Sequence, residues 1–180
     1  SSSAFAGNVL LIDLDELYAQ GWLGAEDLTV HPGFSAHRVD YAIVNQYRME
    51  KLRIAAGRFF AEEQHRAEYE AFCSDEHAWL DDYALFMSLA EKFNWQDWGD
   101  WEPHLARRDK KALLKATVTM AAEIRFWRFC QWCFFRQWHR LKQYANERGV
   151  QIIGDIPIFI AYQSAEVWAR QDLFELGADN

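Results

Sequence analysis

The run Gly149-Val150-Gln151-Ile152-Ile153-Gly154-Asp155-Ile156-Pro157 carries the decision about fold class. It follows a long helical pattern, opens on a helix-stopping glycine and places β-branched residues at Val150, Ile152 and Ile153. That is the helix-to-buried-strand transition of an α/β unit. An acid at the C-terminal end of such a strand sits where eight-stranded barrels place their chemistry, which makes Asp155 a candidate site residue. Gly154 would permit close backbone approach and Pro157 would fix the exit path. By spacing alone, Asp155 serves equally well as a turn or capping residue. Beyond it, Ser164 reads as the N-cap of a short helix through Ala165-Glu166-Val167-Trp168.

Upstream of this run the pattern is helical, with breaks, from Asp40 to about Arg148. Asp40 can cap a helix carrying Ile43, Tyr47 and Leu52, and Ser74 can cap one carrying Trp79, Tyr83, Phe86, Met87 and Leu89. Trp95, Trp98 and Trp101 recur at a period of three around Gly99, which predicts a short tight turn, and Pro103 restarts helix at its favoured first position. On a wheel, Phe126, Phe129, Cys130, Cys133 and Leu141 share one face, while Arg125, Arg128, Arg136 and Arg140 gather opposite. Trp132 and Phe135 interrupt the polar side, so this helix is expected to be covered on more than one face. The first 38 residues hold the apolar run Val9-Leu10-Leu11-Ile12 and a brief helical stretch. A loop follows, punctuated by Gly21, Gly24, Pro32 and Gly33.

Composition bounds the reading. The 180 residues are 51% hydrophobic and 26% charged, which excludes disorder and suits one packed domain. Aromatic content is 16%, with nine tryptophans, so rings must fill a core, line a sugar or ligand cleft, or both. A formal charge of −8 argues against nucleic acid or an anionic membrane as partner. No stretch approaches the roughly 20 apolar residues of a membrane span. Charge is uneven: residues 61–102 carry 12 acidic and 2 basic side chains, residues 103–150 carry 11 basic and 3 acidic. Two helical layers with complementary surfaces account for this. Asp81 and Asp82 diverge by about 100° on a helix, which favours a solvated face or bonds to a basic neighbour over a shared grip on one substrate atom.

Three cysteines are too few for a disulfide framework. Cys130 and Cys133 have the CxxC spacing, but lie inside a helical run with no second pair to complete a zinc site, so core packing is the favoured reading. The six histidines show no metal spacing, and neither cofactor nor metal is expected. Reduced thiols and no visible targeting signal point to the cytoplasm.

Five blocks in order resemble the 4-α-glucanotransferase family, also called amylomaltase or disproportionating enzyme. They are Ser3-Ala4-Phe5-Ala6-Gly7-Asn8 with Leu10 to Leu14; Val39-Asp40-Tyr41; Trp79 to Met87 (WLDDYALFM); Gln131-Trp132 with Phe134 to Trp138 (FFRQW); and Ile153 to Phe159 with Ser164 to Ala169 (SAEVWA). Two departures stand out: Val9 follows Asn8 where the family usually has proline, and Tyr162-Gln163 occupies a place where many members carry acids. The resemblance implies an internal fragment of an incomplete (β/α)8 barrel, α/β in class. It would be predominantly a helical insertion region, with one barrel strand near 150–155. Residues 1–38 would be a barrel-associated loop segment, 39–148 the helical insertion and 149–180 the strand and following loop, all within one truncated catalytic domain.

The implied activity is retaining transfer of α-1,4-glucan segments to an acceptor 4-hydroxyl by double displacement. The catalytic carboxylates would lie beyond Asn180, so no catalytic residue is assigned and the 180 residues alone are expected to be inactive. Substrate-binding candidates are Asp155, Ser1, Ser3 and Asn8. The expected partners are α-1,4-glucans and maltooligosaccharides, without an obligate protein partner. A non-catalytic helical module that binds glucan or protein is the competing reading.

Overall fold

A computed structural model describes residues 2–155 and 158–177. Ser1, Ile156 and Pro157, invoked above, lie outside the described residues. Eight α-helices are found among those described: α1 Leu14–Ala19, α2 Tyr41–Ala61, α3 Arg66–Asp75, α4 His77–Lys92, α5 Pro103–Ala106, α6 Lys110–Thr119, α7 Ala121–Glu147 and α8 Ala165–Ala169.

The barrel-fragment expectation is overturned: among the described residues there is no strand and no sheet. Residues 151–155 carry no regular structure, and Ile153 is 92% exposed. A strand is defined by its ladder partners, and β-branched residues report only that a segment fits a pleated, half-buried surface if one is offered. None is offered among the described residues. Gly149, with φ at +72°, does stop α7 as expected. A Cβ added at Gly154 would meet no atom within 4 Å, so no close backbone approach explains that glycine.

The chain divides into two compact units. One comprises residues 1–6, 73–128 and 151–180; the other, residues 7–72 and 129–150. In the first, α4 lays Leu80, Tyr83, Phe86, Met87 and Leu89 into a core shared with α8. The helix begins at His77, after Glu76, and Ser74 belongs to the end of α3 and caps nothing. It ends where Asn94 and Trp95 turn left-handed, with φ of +53° and +62°. A single 3-10 turn over Trp98–Asp100 follows, as the tryptophan spacing predicts, and Pro103 opens α5. Trp168, fully buried, lies 5.8 Å from the Phe86 ring and 5.9 Å from Trp101, with the Arg108 guanidinium 4.3 Å above it. Its indole N–H donates to the Leu105 carbonyl at 3.1 Å.

In the second unit, the Asp40 carboxylate caps α2 by accepting from Ala42 and Ile43. Phe59 of α2 meets Phe129 and Trp132 of α7 at 5.1 and 5.0 Å, and Trp22 at 5.1 Å. Trp132 is buried, and Phe135 lies 5.8 Å from Phe72, so this helix is covered on more than one face, as its wheel implies. Cys130 and Cys133 are both buried in that core. Burial pushes the Cys133 thiol well above its usual range, the opposite of what a nucleophilic or metal-binding thiol needs.

Candidate functional site

The SAFAGN segment starts from Ser3. Its hydroxyl is buried, accepts the N–H groups of Phe5 and Ala6 at 3.0 Å each, and donates to Glu166 Oε1 at 2.5 Å. Beside it, the Ala165 N–H donates to the Ser2 carbonyl at 2.9 Å. The turn over residues 2–6 is thus fastened to α8, a helix capped by Ser164 accepting from Val167 at 3.3 Å. Phe5 is left 59% exposed, its ring stacked 6.4 Å from Trp79. Both rings line a cavity of about 300 Å³, shared with Ala165 and Ala169, with Asp82 and Glu166 supplying carboxylates. Asp82 is held by Arg108 at 2.6 Å and Asp81 by Arg128 at 2.7 Å, so each acid of the adjacent pair takes its own basic partner.

Asp155 falls in the same unit as Ser3, and it is exposed. Asn8 falls in the other unit. Its side-chain oxygen accepts from Leu10 at 3.0 Å and caps a 3-10 turn over Val9–Leu11, so the turn closes without the family's proline. A cavity of about 470 Å³ in this unit has apolar walls from Leu11, Phe134, Trp138 and Leu141. Of its two acids, Glu16 is engaged by Gln137 at 3.2 Å, Arg140 at 2.9 Å and Arg136 at 3.4 Å, and Asp13 Oδ1 accepts from the Asp15 N–H at 3.0 Å. Among the described residues, no group of three His, Cys, Asp or Glu is arranged to hold a metal ion.

The comparisons with known proteins agree with one another. The family model described as 4-alpha-glucanotransferase matches residues 1–180. The chain belongs to this family. It is 44% identical over 178 residues to the 4-alpha-glucanotransferase of Thermus thermophilus, covering 98% of this chain and 35% of that one. It is 37% identical over 180 residues to the Clostridium butyricum enzyme of the same name, covering 99% and 37%. A solved structure, amylomaltase from Streptococcus agalactiae in complex with acarbose, matches with a TM-score of 0.93 at 35% identity, over 99% of this chain and 36% of the other. The chain therefore spans about a third of the length of the curated relatives it matches. Among the described residues, no helix is long and apolar enough to cross a membrane.

For a 4-alpha-glucanotransferase family member, three polar residues emerge that sequence reasoning passed over. Glu166 looked like an ordinary first-turn acid of α8. Gln131 and Gln137 looked like part of a motif without a task. Each glutamine amide grips one loop residue at both ends. Gln131 accepts from the Gly7 N–H at 2.8 Å and donates to its carbonyl at 3.0 Å. Gln137 does the same to Asp13 at 2.7 and 3.1 Å. The available signal was their setting: polar amides six residues apart in a helix otherwise crowded with rings, Gln131 being wholly buried.

Proposed function

We propose that the protein is a 4-α-glucanotransferase that moves α-1,4-glucan segments to the 4-hydroxyl of an acceptor glucan. The observation that carries this is the family match over the whole chain, supported by the structural likeness to an amylomaltase solved with acarbose. The chemistry proposed is a retaining double displacement: a carboxylate displaces the leaving sugar, which a carboxylic acid protonates, and the acceptor hydroxyl, giving its proton to that acid's conjugate base, then displaces the carboxylate. On the family resemblance, we assign no catalytic carboxylate within these 180 residues.

Asp155, exposed and in the unit with Ser3, is proposed to contact substrate directly. Ser3 and Asn8 are proposed to serve the same substrate by holding their loops, since their side-chain oxygens accept loop N–H groups. Ser1 is proposed as a further contact from the same segment. A cytoplasmic location belongs to this reading, because free thiols suit a reducing compartment.

The test is disproportionation of maltotriose. The product of the complete reading frame should release glucose and form longer maltodextrins, and the 180-residue chain alone should do neither. No transfer by the complete product would overturn the activity. Turnover by the 180-residue chain would overturn the assignment of no catalytic carboxylate. Saturable maltodextrin binding without transfer by either would favour the binding-module reading.

A further inference from the structure

The bond from Ser3 to Glu166 joins the candidate cavity to a side chain that no feature of the motifs assigns a role. Glu166 uses Oε1 to accept from Ser3 at 2.5 Å, while its Oε2 is buried without a hydrogen-bond partner. A carboxylate left half-satisfied in a partly buried place opposes folding unless something else depends on it. What depends on it is the turn: Ser3 can accept from Phe5 and Ala6 while its own proton is directed to Glu166. Those two N–H groups fix the backbone on either side of the Phe5 side chain. Phe5 in turn lines the 300 Å³ cavity, stacked on Trp79 and together with Glu166 itself. The chain of contacts runs Glu166, Ser3, the Phe5 backbone and the Phe5 ring.

We propose that Glu166 is a positioning residue that, through the Ser3 hydroxyl, sets the pose of the Phe5 ring at this cavity and thereby the affinity for glucan. The glucan part rests on the function proposed above; the positioning part does not. In this arrangement Ser3 is a relay rather than a substrate ligand, and the sugar-facing group is the exposed ring.

The experiment uses the product of the complete reading frame with the variants Ser3→Ala, Glu166→Ala and Glu166→Gln, and the double variant Ser3→Ala/Glu166→Ala. Amide hydrogen exchange at Phe5 and Ala6 is the first readout. Ser3→Ala and Glu166→Ala should each accelerate it about fivefold, the effect of losing one net hydrogen bond. The double variant should be no faster than Ser3→Ala alone, because both changes break one chain of contacts. Glu166→Gln retains an acceptor for Ser3 and should stay within about twofold of the parent. Maltotriose disproportionation is the second readout, with KM raised about three- to tenfold in both alanine variants, kcat within about twofold, and KM restored by Glu166→Gln.

Exchange at Phe5 and Ala6 unchanged by Glu166→Ala, additive effects in the double variant, or Glu166→Gln as damaging as alanine would each overturn the proposal. If the exchange pattern appears but the parent protein transfers no glucan, the functional reading fails and the positioning role stands. If exchange responds and KM does not, the link from ring pose to glucan affinity is the part overturned.

Discussion

The two units solve one problem with different side chains. Each must fasten irregular backbone that helix hydrogen bonding cannot satisfy. In the unit built around α4, indoles carry much of it beside the amides of Gln163 and Gln171: Trp98, Trp101 and Trp168 donate their N–H groups to the carbonyls of Tyr162, Gln96 and Leu105. In the unit built around α2, the rings of Trp22, Phe59, Phe129 and Trp132 pack edge-on or tilted against one another, and the fastening passes to the amides of Gln131 and Gln137. An indole offers one donor on a large apolar body, so a single residue both fills space and ties a carbonyl. An amide offers donor and acceptor and can hold a residue at both N–H and C=O, but contributes little volume. The first strategy concentrates stability in a few residues, whereas the second separates packing from attachment.

If that distinction is right, Trp168→Ala should cause the largest loss, about 3–5 kcal/mol, because it opens a cavity beside Phe86 and Trp101 and leaves the Leu105 carbonyl only the Arg108 N–H. Urea unfolding reads the loss as a lower midpoint. Trp168→Phe keeps most of the ring and should cost less, about 0.5–1.5 kcal/mol, mainly through the one lost hydrogen bond to the Leu105 carbonyl, which keeps the Arg108 N–H. Equal losses for the two variants would mean that the hydrogen bond and not the packing dominates, and the contrast between the units would collapse.

The glutamines should behave differently from Trp168 and from each other. Gln131→Leu preserves bulk while stranding the Gly7 N–H and C=O in a partly buried place, at a cost of about 1–3 kcal/mol. Gln137→Leu frees the equivalent groups of Asp13 where water can reach them, and should cost less than about 1 kcal/mol. The same urea midpoints decide between them; a Gln137 effect as large as that of Gln131 would show that exposure does not separate the two clamps. Gly7 sharpens the point from the other side. A Cβ there would run into the Phe134 ring, so Gly7→Ala should also destabilise, by about 1–3 kcal/mol of overpacking.

These side-chain assignments bear on what could be read from sequence. Periodicity located the long helices, and local chemistry located some of the starts: Asp40 and Ser164 cap α2 and α8, and Pro103 opens α5, whereas the caps Asp13 and Asp109 of α1 and α6 were passed over. Ser74 does not act as a cap, because it lies inside α3, which runs on to Asp75, and Glu76 takes the position before α4. The segment after Gly149 misled because β-branched residues signal willingness to join a sheet, while pairing depends on partners a local pattern does not contain. Charge complementarity was legible as a pattern, and the pairs Asp81–Arg128 and Asp82–Arg108 give it residues. The candidate site was legible only in part: the SAFAGN and SAEVWA blocks named its pieces. The bond between Ser3 and Glu166 spans 163 positions, and no spacing rule reaches that far.

The smallest expected effect concerns the acid that fastens the loop ahead of α2. Asp27 accepts from the Gly24 N–H at 2.8 Å and pairs with Arg58 at 2.8 Å, and the backbone bond, more than the guanidinium, holds its carboxyl below the ordinary 3.8. The folded chain therefore gives up this proton at a lower pH than the unfolded chain does. The resulting stabilisation is complete above the ordinary carboxyl range and disappears as pH falls through the folded value. Asp27→Asn removes it, so the urea midpoint of the variant should lie below that of the parent at pH 7, and the gap should narrow at pH 3. Other carboxyls titrate alike in both proteins and cancel in the difference. A gap that stayed constant from pH 7 to pH 3 would mean that the amide loses contacts unrelated to charge. The loop would then be held by shape, as the Gln131 and Gln137 clamps hold theirs, and not by the carboxylate.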